Sequence, residues 1–219
     1  MLAKIILADD HKMFAEGLAK LLAPTYDIVG TAANGRELIT MARELNPDVI
    51  ISDISMPLLN GMEALRMLKR TSIHSKFVML TMHADVSVAV EAFRSGASAF
   101  VLKRAGAEEI HLAISAALRG RSYLSSAFPV DILTILAEAV RRPADEGPRM
   151  TRRQREVLQL VAEGKTMKEV AALLNLSTRT VESYKYETMR SLGMHTNAEL
   201  VQYAIRIGAI TVTPLHPAA

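Results

Sequence analysis

The first 120 positions alternate two apolar patterns. Short, nearly continuous apolar runs at Ile5–Ala8, Asp27–Thr31, Val49–Ser52, Phe77–Thr81 and Ala99–Leu102 predict β-strands. Between and after them, 12–23, 35–45, 61–70, 85–95 and 107–118 repeat apolar residues at spacings of three and four, as Val86, Val90 and Phe93 do, and predict helices. Strands without an alternating polar face suit a sheet buried on both sides. Five βα units in succession therefore imply a parallel sheet with helices on both faces.

Beyond 121 the pattern changes twice. Ser125, Ser126 and Pro129, a short helical pattern over 130–142, and the Arg-Arg-Pro-Ala-Asp-Glu-Gly-Pro run ending at Pro148 predict a linker over 122–148. From 149 to 212 the pattern is purely helical. Thr151 with Gln154, and Thr166 with Glu169, have the spacing of a capping box, Ser177 or Thr178 offers a third cap, and Thr196-Asn197 precedes a fourth helix over Ala198–Arg206. Val157, Leu158, Leu160, Val161, Val170, Leu173, Leu174, Leu176, Val181, Met189 and Leu192 suffice for a small helical core. Residues 213–219 form a tail.

A length of 219 residues suits two small cores better than one. Hydrophobic residues at 50% and charged residues at 22% argue against disorder. The absence of Cys excludes disulfides, thiolate metal sites and cysteine nucleophiles. The apolar start is interrupted by Asp9 and Asp10, too early for a signal-peptide core, and no window approaches the ~18 apolar residues of a membrane span, so a cytoplasmic protein with no membrane partner is expected. Residues 1–148 carry 16 Lys and Arg against 17 Asp and Glu, whereas 149–219 carry 10 against 6. A polyanionic partner is expected at the C-terminal part.

In a doubly wound sheet the ligand site lies beyond the carboxyl ends of the strands. Those ends carry Asp9 and Asp10, Asp53, Thr81 and Lys103. Singly, each has an ordinary explanation: a helix cap for the first two, a turn before Pro57 for Asp53, a β-branched strand residue for Thr81, a solvated cation for Lys103. Together, three carboxylates form a hard oxygen site suited to Mg2+. A carboxylate can attack a phosphoryl group, and a divalent ion, an ammonium and a hydroxyl can neutralise the equatorial oxygens.

Ala8-Asp-Asp-His11, Asp53-Ile-Ser-Met-Pro57 followed by Asn60-Gly61, Leu80-Thr81 and Val101-Leu-Lys103 resemble the signature of CheY-like receiver domains over residues 1–121. The resemblance implies a flavodoxin-like (βα)5 fold with strand order 2-1-3-4-5. It implies Asp53 as phosphoacceptor, Asp10 as a direct Mg2+ ligand, Asp9 as a ligand through water and the Ser55 carbonyl as another ligand. It implies Thr81 as the hydroxyl that follows the phosphoryl group, Phe100 as the aromatic switch residue and Lys103 as the salt-bridge partner. Arg104 stands where many receivers have Pro, and Phe100 where Tyr is frequent.

Residues 166–192 read as helix, turn at Asn175-Leu176-Ser177, and helix, the layout that places a second helix in the DNA major groove. Met150–Gly164, Lys168-Glu-Val-Ala171, Leu176-Ser177, Thr180-Val181, Leu192-Gly193 and Ala198-Glu-Leu200 resemble the LuxR-type helix-turn-helix, an all-α four-helix domain, and the chain as a whole resembles NarL/FixJ-type response regulators. Val181, Lys185, Thr188, Met189 and Leu192 share one side of the second helix. Arg179, Glu182, Ser183, Tyr186 and Arg190 lie opposite, with 182, 183 and 186 implied by resemblance to meet base edges. Lys165, Lys168, Thr178, Thr180 and Tyr184 are candidate phosphate contacts. Glu182 departs from the usual basic residue and suits a cytosine amino group, and Tyr184 replaces the usual His. Alternatively, this face is a solvated helix surface.

The resemblance implies a sensor histidine kinase as donor, homodimerisation on phosphorylation, paired half-sites in double-stranded DNA, and RNA polymerase as a further candidate partner. A phosphatase or phosphotransferase is the competing enzyme class, but such hydrolases typically place a second acid two residues after the nucleophile, where this chain has Ser55. No G-x-G-x-x-G or P-loop occurs. No turnover beyond the receiver's own phosphorylation and dephosphorylation is expected. A receiver serving only as a dimerisation scaffold would not need Asp9, Asp10, Asp53, Thr81 and Lys103 together.

Overall fold

The structure, a computed structural model, describes residues 1–71, 73–129, 132, 134, 136–138 and 150–210. The chain divides into two units, Met1–Asp145 and Glu146–Ala219.

In the first unit, β1 (Lys4–Ala8), α1 (Lys12–Leu22), β2 (Asp27–Ala32), α2 (Gly35–Leu45), β3 (Val49–Asp53), α3 (Gly61–Lys69), β4 (Lys76–Thr81), α4 (Val86–Arg94), β5 (Ala99–Leu102) and α5 (Ala107–Leu118) alternate as the apolar pattern requires. These strands pair in parallel in the order β2-β1-β3-β4-β5. The five-strand flavodoxin-like order is present, and a sixth strand, β6 (Tyr123–Leu124), extends it from within the segment read as the start of the linker. Two residues are too few to show a period.

Alternate strand residues feed two cores. Ile6, Ile50, Phe77, Met79, Phe100 and Leu102 pack with α2, α3 and α4 on one face. Ile5, Leu7, Val49, Ile51, Val78, Leu80 and Val101 pack with Leu18 and Leu22 of α1 and Ile110 and Ile114 of α5 on the other. Phe128 and Leu136 join the first core, and Ile132 packs against it. The short helix expected over 130–142 falls largely outside the described residues. Those that are described there, Ile132, Thr134 and 136–138, are helical.

The second unit has four helices among the described residues: α6 (Arg152–Ala162), α7 (Met167–Leu174), α8 (Thr178–Ser191) and α9 (Asn197–Arg206). Both expected capping boxes form, and Thr196 with Glu199 makes a third. Ser177 rather than Thr178 caps α8, accepting from the Thr180 amide. Asn175 closes α7 in the left-handed conformation (φ 53°), which Asn adopts more readily than most residues and which starts the turn. Of the expected core, Val157, Leu158, Leu160, Val170, Leu174, Val181 and Met189 are buried, and Val161, Leu173, Leu176 and Leu192 are half-buried. The tail 213–219 lies outside the described residues.

Candidate functional site

The parallel sheet ends its strands on one edge, and the backbone there shapes the site. Asp53 is the last residue of β3, and Gly61 begins α3 directly beside it. A Cβ on Gly61 would lie 2.0 Å from the Asp53 carbonyl oxygen, so only glycine allows this approach. Asn60 caps α3 by accepting from the Glu63 amide at 2.8 Å, and the Gly61 amide donates to the Ile54 carbonyl. The Asn60-Gly61 pair thus pins the loop that carries Asp53. Leu58, in the same loop, is held at φ 66°, a strained value for Leu.

Three strand ends converge. Ligand atoms of Asp9, Asp10, His11 and Asp53 lie within 4.8 Å of one another. The Lys103 ammonium sits 2.7 Å from Asp53 Oδ2, donating a hydrogen bond, and 2.6 Å from Asp9 Oδ2. The contact with Asp9 is an ion pair outside hydrogen-bond geometry, which leaves Asp9 Oδ2 buried and accepting no hydrogen bond. Phe14 covers the ammonium, with its ring centroid 4.9 Å away. Neither carboxylate at 9 or 10 caps α1, where His11 is the N-cap and no side chain makes the capping bond.

Burial is the dominant force on Asp53 and pushes its carboxyl up to about 6, against the lowering effect of Lys103, with the Asp9 charge adding to the rise. Burial alone would lower the Lys103 ammonium, but Asp53 and Asp9 more than reverse this, so its proton is held above the usual lysine range. Asp53 Oδ1 accepts only a long bond, 3.3 Å, from the Ser55 amide.

The donor set is wholly hard at Asp9, Asp10 and Asp53, with one exposed carboxylate, one buried oxygen that accepts no hydrogen bond, and one neighbouring imidazole. It fits a divalent cation of the Mg2+ class.

Thr81 ends β4, and its hydroxyl is engaged with the backbone of His83, accepting from the amide at 3.2 Å. Phe100 is fully buried on the same face of the sheet and meets Phe128 edge-on at 5.8 Å between ring centroids. Lys103 and Arg104 lie in a 3-10 turn, Lys103–Ala105. The site thus gathers Asp9, Asp10, Asp53, Lys103 and the Ser55 amide. His11, Phe14 and Phe128 join it or its neighbourhood without having been assigned a place from sequence. His11 stood in the Asp-Asp-His motif, whereas Phe14 and Phe128 carried only an apolar signal.

On α8, Arg179, Glu182, Ser183, Tyr186 and Arg190 are exposed, while Val181, Thr188 and Met189 are buried. Lys168 is exposed, and Lys165, Thr178, Thr180 and Tyr184 are half-buried. Some hydroxyls are occupied locally: Thr180 Oγ1 lies 2.8 Å from Ser177 Oγ, and Ser183 donates to Glu187 at 3.0 Å. Arg152 and Arg153 both donate to buried Glu156 at 2.7 Å, so much of the cationic charge of α6 is spent within its own helix.

These two arrangements have known counterparts. Response regulator receiver domains match residues 5–115, and bacterial regulatory proteins of the luxR family match residues 148–204. The chain is a two-component response regulator. Among response regulators, UvrY of Escherichia coli strain K12 is 31% identical over 93% of this chain and 94% of its own. The oxygen regulatory protein NreC of Staphylococcus aureus strain RF122 is 32% identical over 93% and 97%. A structure of the Salmonella typhimurium RcsB response regulator superposes with a TM-score of 0.63 at 26% identity, covering 94% of this chain and 98% of RcsB. RcsB of Salmonella enterica serovar Typhimurium bound to promoter rprA with the phosphomimetic BeF3- gives a TM-score of 0.62 at 26% identity, covering 93% and 98%. Among the described residues of this response regulator no helix is long and apolar enough to cross a membrane.

Proposed function

We propose that Asp53 accepts a phosphoryl group from a phosphohistidine of a sensor kinase and that this controls DNA binding by α8. The observation that carries the reading is the Lys103 ammonium held between Asp53 and Asp9 in a buried acidic pocket. In the transfer, an Asp53 carboxylate oxygen attacks phosphorus as the P–N bond breaks, and the electron pair leaves with the imidazole, which takes up a proton. Asp10, Asp53, the Ser55 carbonyl and, through water, Asp9 would hold Mg2+, which when bound supplies positive charge to the phosphoryl oxygens. Lys103 shifts from the bare carboxylates to a phosphoryl oxygen. The Thr81 hydroxyl leaves His83 for another, and Phe100 follows Thr81. No catalysis beyond the receiver's own phosphorylation and dephosphorylation is needed.

The receiver spans 1–121, the linker 122–148, the DNA-binding domain 149–212 and the tail 213–219. Glu182, Ser183 and Tyr186 meet base edges in the major groove, and Lys165, Lys168, Thr178, Arg179, Thr180, Tyr184 and Arg190 meet the backbone or groove rim. Phosphorylation favours a homodimer that binds paired half-sites. The solved RcsB complex with promoter DNA and a phosphomimetic supports this reading. The protein works in the cytoplasm, with RNA polymerase as a downstream partner.

Incubation with Mg2+ and acetyl phosphate, followed by intact mass, tests the acceptor. Wild type gains one phosphate and Asp53→Asn gains none; an unmodified wild type refutes the mechanism. Selection of bound fragments from genomic DNA, with and without phosphate, tests the output, and equal affinity in both states across a range of salt refutes the coupling.

A further inference from the structure

We propose that phosphorylation of Asp53 loosens the chain that leaves the receiver, at residues 125–129, 132 and 136–138, by way of Thr81, Phe100 and Phe128. The inference rests on the reading of Asp53 as phosphoacceptor and names the segment that carries its state outward.

The described residues of that segment are docked on the first unit. The β6 residues Tyr123 and Leu124 pair in parallel with Ala99 and Phe100. The Ser125 amide donates to the Phe100 carbonyl at 2.9 Å. Buried Glu109 of α5 accepts from the Tyr123 hydroxyl at 3.1 Å, from the Ser125 hydroxyl at 3.0 Å and from the Ser126 amide. Past this clamp, Phe128 and Leu136 are buried in the core that holds Phe100 and Val88, Ala89 and Ala92 of α4, and Ile132 packs against it.

The same core lies under the part of the site that has to move. Side chains alternate along β4, so Thr81 shares the face of Phe77 and Met79. Thr81 pairs with Leu102, and Met79 pairs with Phe100, which places Thr81 one pleat beyond Phe100 on one surface. Its hydroxyl is held by the His83 amide. Two residues on, Asp85 caps α4 by accepting from the Ser87 and Val88 amides. A phosphoryl group on Asp53 draws the Thr81 hydroxyl off His83. The 81–85 loop and the start of α4 follow, and volume opens above Phe100. Phe100 turns into that volume and leaves the edge of Phe128, while Val88 and Ala89 shift within the core they share with Leu136. The Glu109 clamp fixes the chain only up to Ser126, so the change falls on Phe128, Ile132 and Leu136 beyond it.

Hydrogen exchange read by mass spectrometry on the full chain tests this, with acetyl phosphate and Mg2+ as donor and phosphate uptake read from intact mass. In peptides covering 125–129 and 132–138, phosphorylated wild type is expected to exchange about threefold to tenfold faster than unphosphorylated protein, the scale set by one aromatic edge contact. Asp53→Asn is expected to show no change on the same treatment. Unphosphorylated Phe128→Leu is expected to exchange these peptides as fast as phosphorylated wild type, with β1 and β3 still protected. Phosphate uptake with unchanged exchange over 125–138 overturns the proposal and leaves the assignment of Asp53 standing. Absence of uptake overturns both. Slow exchange in folded Phe128→Leu also overturns it, and if that variant does not fold the wild-type comparison decides alone.

Discussion

The Lys103 ammonium lies 2.7 Å from Asp53 Oδ2 and is buried with it, so one cation holds the Asp53 and Asp9 carboxylates together. Lys103→Met leaves two buried carboxylates facing each other without compensation. In chelator the variant is expected to lose about 3 kcal/mol of stability by urea denaturation, the scale for breaking a buried ion pair. Millimolar Mg2+ is expected to restore part of it and to raise its Tm more than that of wild type. Equal Mg2+ responses would show that the cation and the metal do not share the same carboxylates.

Asp53 carries a pH signature. Its carboxyl ionises at about 6 in the folded chain against an ordinary 3.8. Between those values the folded state binds more protons than the unfolded state, so metal-free stability falls as pH rises through this window. Asp53→Asn removes the penalty. Above pH 7 it is expected to be more stable than wild type by about 1–3 kcal/mol, with a flatter profile between pH 4 and 6, in thermal melts with chelator.

Gly61→Ala places a methyl group against the Asp53 carbonyl oxygen. The loop or the helix start has to shift, at an expected cost of about 2 kcal/mol in urea denaturation. Phosphate uptake from acetyl phosphate is expected to slow as well, because the same loop positions Asp53. Normal stability with slow uptake would mean that the loop moves cheaply.

The backbone and base contacts proposed for α7 and α8 are separable by salt. Arg179→Ala and Lys168→Ala are each expected to weaken binding to all selected fragments alike and to lower the slope of log K against log salt by about 1. Glu182→Gln is expected instead to relax the preference at a cytosine, by about 1–3 kcal/mol, in repeated selection from random duplexes. Unchanged preference would return Glu182 to the solvated surface.

Much of this was legible in the chain. Unbroken apolar runs in the strands and spacings of three and four in the helices located ten elements of the receiver, because a parallel sheet covered on both sides imposes those patterns. The polar residues at the strand ends converge because parallel strands all finish on one edge. The features that stayed hidden depend on contacts between distant residues. Strand β6 has two residues, and Glu109, which clamps it, looks in sequence like any acidic residue in a first helical turn. The hydrogen bonds from Ser126, Ser125 and Tyr123 hold its carboxyl below the usual range despite burial, and the burial of Tyr123, with the Glu109 charge added, pushes the Tyr123 hydroxyl up to about 12. Phe128 comes after two serines and precedes a proline, which reads as a loop although its ring is packed in the core. The third capping box escaped because Thr196 stands beside Asn197, also a good cap.

The caps of the second unit bear on how the chain is made. Each of its helices starts with a Ser or Thr bonded to an amide three residues on, so its order is specified by near neighbours. The sheet of the first unit instead joins β1 to β3 across more than 40 residues. Local order closes quickly and distant pairing slowly. The unit synthesised second is therefore the faster to acquire structure, and pulse-labelled exchange during refolding is expected to protect α6 to α9 before β1 and β3. On the ribosome, the slow sheet gains a head start in time that the order of the two units in the chain provides.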